Sequence, residues 1–121
     1  MAETGRGRMI AAWVLSALLA ALFLFAGGQK LLGTGGTVEH FTQWGYPPWF
    51  RTIVGLIEVS GGLALLVPRV AFYAAGALGV VMIGAIHTHL TKAAPGIPVP
   101  IVCLLVLAFI ASARRPSAGA V

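Results

Sequence analysis

Four runs of this sequence are long, apolar and nearly free of charge, and that pattern leaves few folds open. They cover about Met9–Leu32, Trp49–Val67, Val70–Leu90 and Ile97–Ala113. A helix needs roughly 20 mostly apolar residues to cross a hydrocarbon layer of about 30 Å. The fourth run is short, so it must stand nearly upright or thin the bilayer locally. Only 9% of the 121 residues are charged, against about 25% in a soluble domain. Too few charges remain to coat a water-facing surface, so lipid must be most of the solvent. The expected fold is all-α: one membrane domain over residues 1–121, a four-helix transmembrane bundle with antiparallel neighbours.

The charges that do occur sit between the apolar runs. Net charge is +5, yet the basic residues form no patch, which argues against nucleic-acid binding and for membrane-flanking positions. Four spans put Arg6, Arg8, Arg69, Arg114 and Arg115 on one side and Lys30, Arg51 and Lys92 on the other. Basic residues favour the cytoplasm, so both termini are expected there. The first run also resembles a signal peptide, but signal h-regions cover only about 7–15 residues. It is longer and ends in Gln29-Lys30, so it is read as a retained span. The single cysteine, Cys103, can form no internal disulfide, and CxxC chemistry is absent.

The connections agree with this plan. Pro68-Arg69 allows only a tight hairpin between the second and third spans. Three prolines stiffen Thr91–Pro100. The loop Gly33–Phe50 places Val38 and Phe41 one helical turn apart and then adds Trp44, Tyr46 and Trp49, the aromatic composition of a membrane–water boundary. Glu39 and His40 within it are read as solvated.

One carboxylate breaks the pattern: Glu58, inside the second apolar run. Residues three and four apart share a helix face, so Gly55, Glu58 and Gly62 align, as do Phe23, Gly27 and Lys30, and Gly76, Val80, Gly84 and His87. Small residues mark the faces where membrane helices approach one another, so Glu58 is expected to point into the bundle. A charge near the bilayer centre costs about 2.5–3.5 kcal/mol on insertion scales. Either Glu58 stays protonated or a cation holds it ionised, with Lys30 the first candidate and His87 the second. These groups, with Gln29, Thr88 and His89, fall in the outer half of the membrane and predict an outward cavity with Glu58 at its floor. Glu58, Lys30, His89 and His87 are the candidate chemical constellation; Gln29 and Gly62 are candidate contacts for a bound molecule. His87 and His89 lie about 200° apart around a helix, so one helix cannot aim both at one metal, and no metal site is expected.

The stretches LFLFAGGQKLLG (Leu22–Gly33), WGYPPWF (Trp44–Phe50), GLIEVSGGLALLVPR (Gly55–Arg69) and GAIHTHL (Gly84–Leu90), in this order, resemble the DoxX-like family of small bacterial membrane proteins. The resemblance implies a four-helix protein of the bacterial inner membrane, with the family's polar positions falling on Lys30, Glu58 and His89. It also implies an accessory or small subunit of a membrane redox system, with quinone or a partner oxidoreductase supplying the redox chemistry. Two other functions fit the residues. Glu58 would serve as acid or base on an apolar substrate in a stand-alone isomerase, cyclase or hydrolase, or it would be structural glue in a non-catalytic scaffold. The expected partners are the lipid bilayer and an apolar small molecule.

Overall fold

The computed structural model describes residues 2–92 and 94–115. They form five helices: α1 (Ala2–Leu32), α2 (Thr37–Gln43), α3 (Pro48–Ala64), α4 (Ala71–Thr91) and α5 (Pro98–Ala113), with no strand among the described residues. Two helical stretches, Gly5–Leu32 and Ala71–Thr91, are long and apolar enough to cross a membrane; α5 is a shorter apolar helix. At 1.5 Å per residue α3 and α5 are each about 25 Å long. Both begin at proline, whose missing N–H would have no intrahelical partner there.

The packing order is a ring. α1 lies most intimately on α3 and α4 on α5, while α3 meets α4, and α1 meets α5, along shorter lengths. α1 and α3 run antiparallel, because Gly55 meets Gly27 and Lys30 whereas Gly62 meets Phe23 and Ala20. That seam depends on glycine. A Cβ on Gly27 would stand 2.8 Å from the Val59 side chain and 2.9 Å from the Gly55 carbonyl oxygen. The two backbones touch, the close approach through which membrane helices gain packing and dispersion energy when lipid offers no hydrophobic force.

Away from the seam, Leu19, Phe23, Leu65, Leu78, Met82, Leu107 and Ile110 fill the core with Ala74, Ala75 and Cys103. Here one expectation is corrected. The Gly76–Val80–Gly84–His87 face of α4 was predicted to meet its neighbours, yet all four residues are exposed. α4 instead buries Ala71, Ala74, Ala75, Leu78, Gly79 and Met82. Both faces carry small residues, but only the second combines them with Leu78 and Met82, large enough to interlock with Cys103 and Leu107 of α5.

The aromatic loop is corrected too, for it contains the unpredicted helix α2. Phe41 is its one buried residue, and its ring lies 5.4 Å from Trp44, 5.9 Å from Tyr46 and 6.3 Å from Phe50. That cluster anchors a helix too short to persist alone. Gly45, at φ 84°, then reverses the chain so that the Tyr46 N–H reaches the Phe41 carbonyl at 2.9 Å. This left-handed glycine closure aims Tyr46 back across the bundle.

The described ends of the chain lie together. The Arg8 guanidinium donates to the Ser112 hydroxyl and sits 5.4 Å from the Phe109 ring; that of Arg114 stacks 4.1 Å from the Trp13 ring. Both are cation–π contacts between α1 and α5.

Candidate functional site

The glycine crossing decides where the two opposite charges meet. Lys30 lies three residues beyond Gly27 on α1, and Glu58 three beyond Gly55 on α3. The helices are antiparallel, so the two step away from the crossing in opposite directions and the long Lys30 side chain spans the gap. Lys30 Nζ stands 2.8 Å from Glu58 Oε1, with side-chain exposures of 18% and 4%. At that distance the Lys30 ammonium is the charge partner of the buried carboxylate. Arg51 braces the cation from above, its guanidinium donating to the Lys30 carbonyl at the open end of α1.

Lys30 and Glu58 border a cavity of about 850 Å³, within the size range of sites that enclose small organic molecules. Leu22, Phe23 and Ala26 of α1, Ile53, Val54 and Ile57 of α3, and Val81 and Met82 of α4 supply apolar wall, and Cys103 closes the α5 side. Polar groups gather toward the loop end. The Tyr46 hydroxyl lies 2.7 Å from Thr88 Oγ1, which also donates to the Gly84 carbonyl at 3.0 Å. His89 Nδ1 is 2.7 Å from the Ala85 carbonyl oxygen. A carbonyl can only accept, so Nδ1 carries the proton, and in the neutral ring Nε2 is left as the acceptor. Trp44 stands between two imidazoles, stacked on His40 at 5.6 Å and tilted against His89 at 6.2 Å.

The candidate residues thus divide. Lys30 and Glu58 meet directly, and His87 and His89 line the same cavity, His87 from an exposed position and His89 half-buried. Gln29 and Gly62 do not line it. The Gln29 carbonyl accepts from the Thr34 N–H and the Thr37 hydroxyl, closing the end of α1, and Gly62 packs on α1. Tyr46, Trp44, His40 and Cys103 were not foreseen in the lining. The signal for Tyr46 was present in the Gly45-Tyr46 step after an aromatic turn. Thr88, between two histidines that drew attention, is the buried one of the three.

Chemically, the cavity offers an ammonium donor and a carboxylate acceptor at one place and a hydroxyl pair with an imidazole at another, separated by hydrocarbon. It suits an apolar molecule with a small polar head.

Comparison with known proteins places the sequence in one family. A family model for the DoxX-like family matches residues 14–111. The uncharacterized protein YdgD of Bacillus subtilis (strain 168) is 39% identical over 94 residues, which cover 71% of this chain and 82% of the relative. Inner membrane protein YqjF of Escherichia coli (strain K12) is 39% identical over 49 residues, 40% of this chain and 38% of the relative. No solved structure matches. With the family model spanning most of the sequence, and the Lys30–Glu58 pair inside the matched region, the chain belongs to the DoxX-like family.

Proposed function

We propose that this protein is a four-span protein of the bacterial inner membrane, with both termini in the cytoplasm, that binds the polar head of a lipid-soluble carbonyl compound of the quinone class as a small subunit of a membrane redox system. The observation that carries the proposal is an ion pair at the wall of a hydrocarbon-lined cavity of about 850 Å³. Such a pair can be replaced by well-packed hydrophobic residues at little or no cost in stability, so its placement at the wall of a cavity favours a ligand over packing alone. The residues fit a quinone head. Lys30 Nζ can donate to a carbonyl oxygen, the flanking aliphatic side chains can cover the ring, and the Tyr46–Thr88 hydroxyls lie toward the loop end for a second oxygen. A bound quinone would supply reversible electron acceptance. The protein's part is to orient the head, exclude water from it, and hold a proton at Glu58 or Lys30.

Four spans are supported by the ring of packed helices, in which α3 and α5 complete what α1 and α4 begin. The inner-side orientation is supported by the arginines gathered where the described ends meet.

The test is direct binding. Trp44 lines the cavity, so with Trp13→Phe and Trp49→Phe in place it becomes the single reporter. Decylubiquinone added to the protein in detergent should quench it saturably. Lys30→Gln with Glu58→Gln removes both charges at nearly constant volume and should weaken binding about tenfold or more, the equivalent of one charged hydrogen bond. Mass spectrometry of the native extract should find quinone. Failure of saturable quenching would overturn the proposal and leave the pair as structural glue.

A further inference from the structure

The cavity has a roof and a side, and they differ. At the loop end α2 and the chain after it lie across it, with Phe41 buried and Tyr46 bonded to Thr88 of α4. Along the side, α3 and α4 part. The residues that line the cavity there are also exposed: Ile53 at 44% and Ile57 at 37% on α3, Val80 at 69% and Ile83 at 58% on α4. The lining at this edge is hydrocarbon, interrupted only by His87 near the roof. A second, shallower surface groove of about 450 Å³ lies farther along the same two helices and adjoins the cavity at Ile57. Ser60 and Gly61 of α3 and Ala74 and Ala77 of α4 border it with small side chains.

From this geometry we infer that the ligand enters sideways from the acyl layer through the cleft between α3 and α4, and that it is a tailed amphiphile whose chain trails down that cleft while its head reaches Lys30 and Glu58. The inference rests on the binding reading above and narrows it to molecules already dissolved in the bilayer. A water-borne ligand would have to open the roof, breaking the Tyr46–Thr88 bond and unpacking the Phe41 cluster. A bilayer-borne one displaces only lipid from a hydrocarbon edge. The groove adjoining the cavity at Ile57 is the argument for a tail, since a tailless head fills the cavity alone and leaves that groove unused.

Two glycines on α4 give a matched test. Gly84 borders the cavity and Gly76 borders neither the cavity nor the groove, and a Cβ at either would meet nothing within 4 Å. Phenylalanine at each adds the same bulk without a packing clash, but only Gly84→Phe obstructs the mouth. In proteoliposomes with Trp44 as the single tryptophan, stopped-flow mixing with decylubiquinone should show quenching slowed about tenfold by Gly84→Phe and unchanged by Gly76→Phe. Val80→Phe is the second obstruction if Gly84→Phe does not accumulate, and slowing by it counts equally. Equal rates in all obstructed and control variants would overturn side entry while saturable, charge-dependent quenching still upheld the binding reading. No saturable quenching in the unobstructed chain would overturn both.

Discussion

Helix α3 has two contact faces with opposite designs. Toward α1 it closes tightly: opposite Gly55 the backbones approach until a methyl group on Gly27 would not fit, and Gly62 packs closely on Phe23 and Ala20. Toward α4 it touches chiefly where Gly61 receives Leu78, and elsewhere it stands away, leaving the cavity and its groove. The same residue type serves both ends. Glycine opposite backbone makes a seam; glycine opposite a single large side chain makes a pivot beside open space. A membrane protein of this size makes room for a cavity by concentrating its tight packing on one side of a helix and withholding it from the other.

The largest effect should come from breaking the closed face. Gly27→Leu drives a side chain into Val59 and the Gly55 carbonyl, and overpacking of this kind should cost about 3 kcal/mol. The variant should melt well below the native protein in detergent, and decylubiquinone binding should go with it, because the seam sets the Lys30–Glu58 distance. Next comes the pair on that seam. Glu58→Ala leaves Lys30 without its counter-charge and should cost about 2 kcal/mol, less than the 3–5 kcal/mol of a fully buried pair because Lys30 retains some access. Glu58→Ala with Lys30→Ala should cost less than the sum of the two single changes, and strict additivity in that cycle would show that the pair is not coupled.

On the open face the effects shrink. Tyr46→Phe removes one hydrogen bond to Thr88 and should lower stability by about 1 kcal/mol. Smallest of all, Gly76→Ala should be neutral or raise the melting temperature slightly, a gain of about 0.5–1 kcal/mol expected wherever a helix-interior glycine has room for a methyl. Gly61→Ala, whose Cβ would stand 2.8 Å from Leu78, should instead destabilise. If these two substitutions had the same sign, the contrast between pivot and open edge would be lost.

The seam was legible before any coordinates. Gly27 with Lys30, and Gly55 with Glu58 and Gly62, fall on helix faces by spacing alone, and a carboxylate in an apolar run demands a partner. The matching stripe on α4 was equally regular and misled. Gly76, Val80 and Gly84 have the spacing of a contact face yet stand outward, because spacing reports which residues share a face and not which face a neighbour covers. The loop helix escaped notice for a related reason. Seven residues carry too little periodicity, and α2 is held by aromatic contacts with residues that follow it.

Sequence alone determined that the chain is helical and apolar beyond what water tolerates, and that Glu58 needs a cation within reach. These follow from composition and from the 3.6-residue period, which are local properties. Only the tertiary structure decided that the cation is Lys30, that Tyr46 and Thr88 join across the loop end, and that the cavity opens between α3 and α4. Each of those depends on which helix packs against which and how closely, and that choice is made by the summed contacts of whole faces, where no single residue's spacing carries the answer.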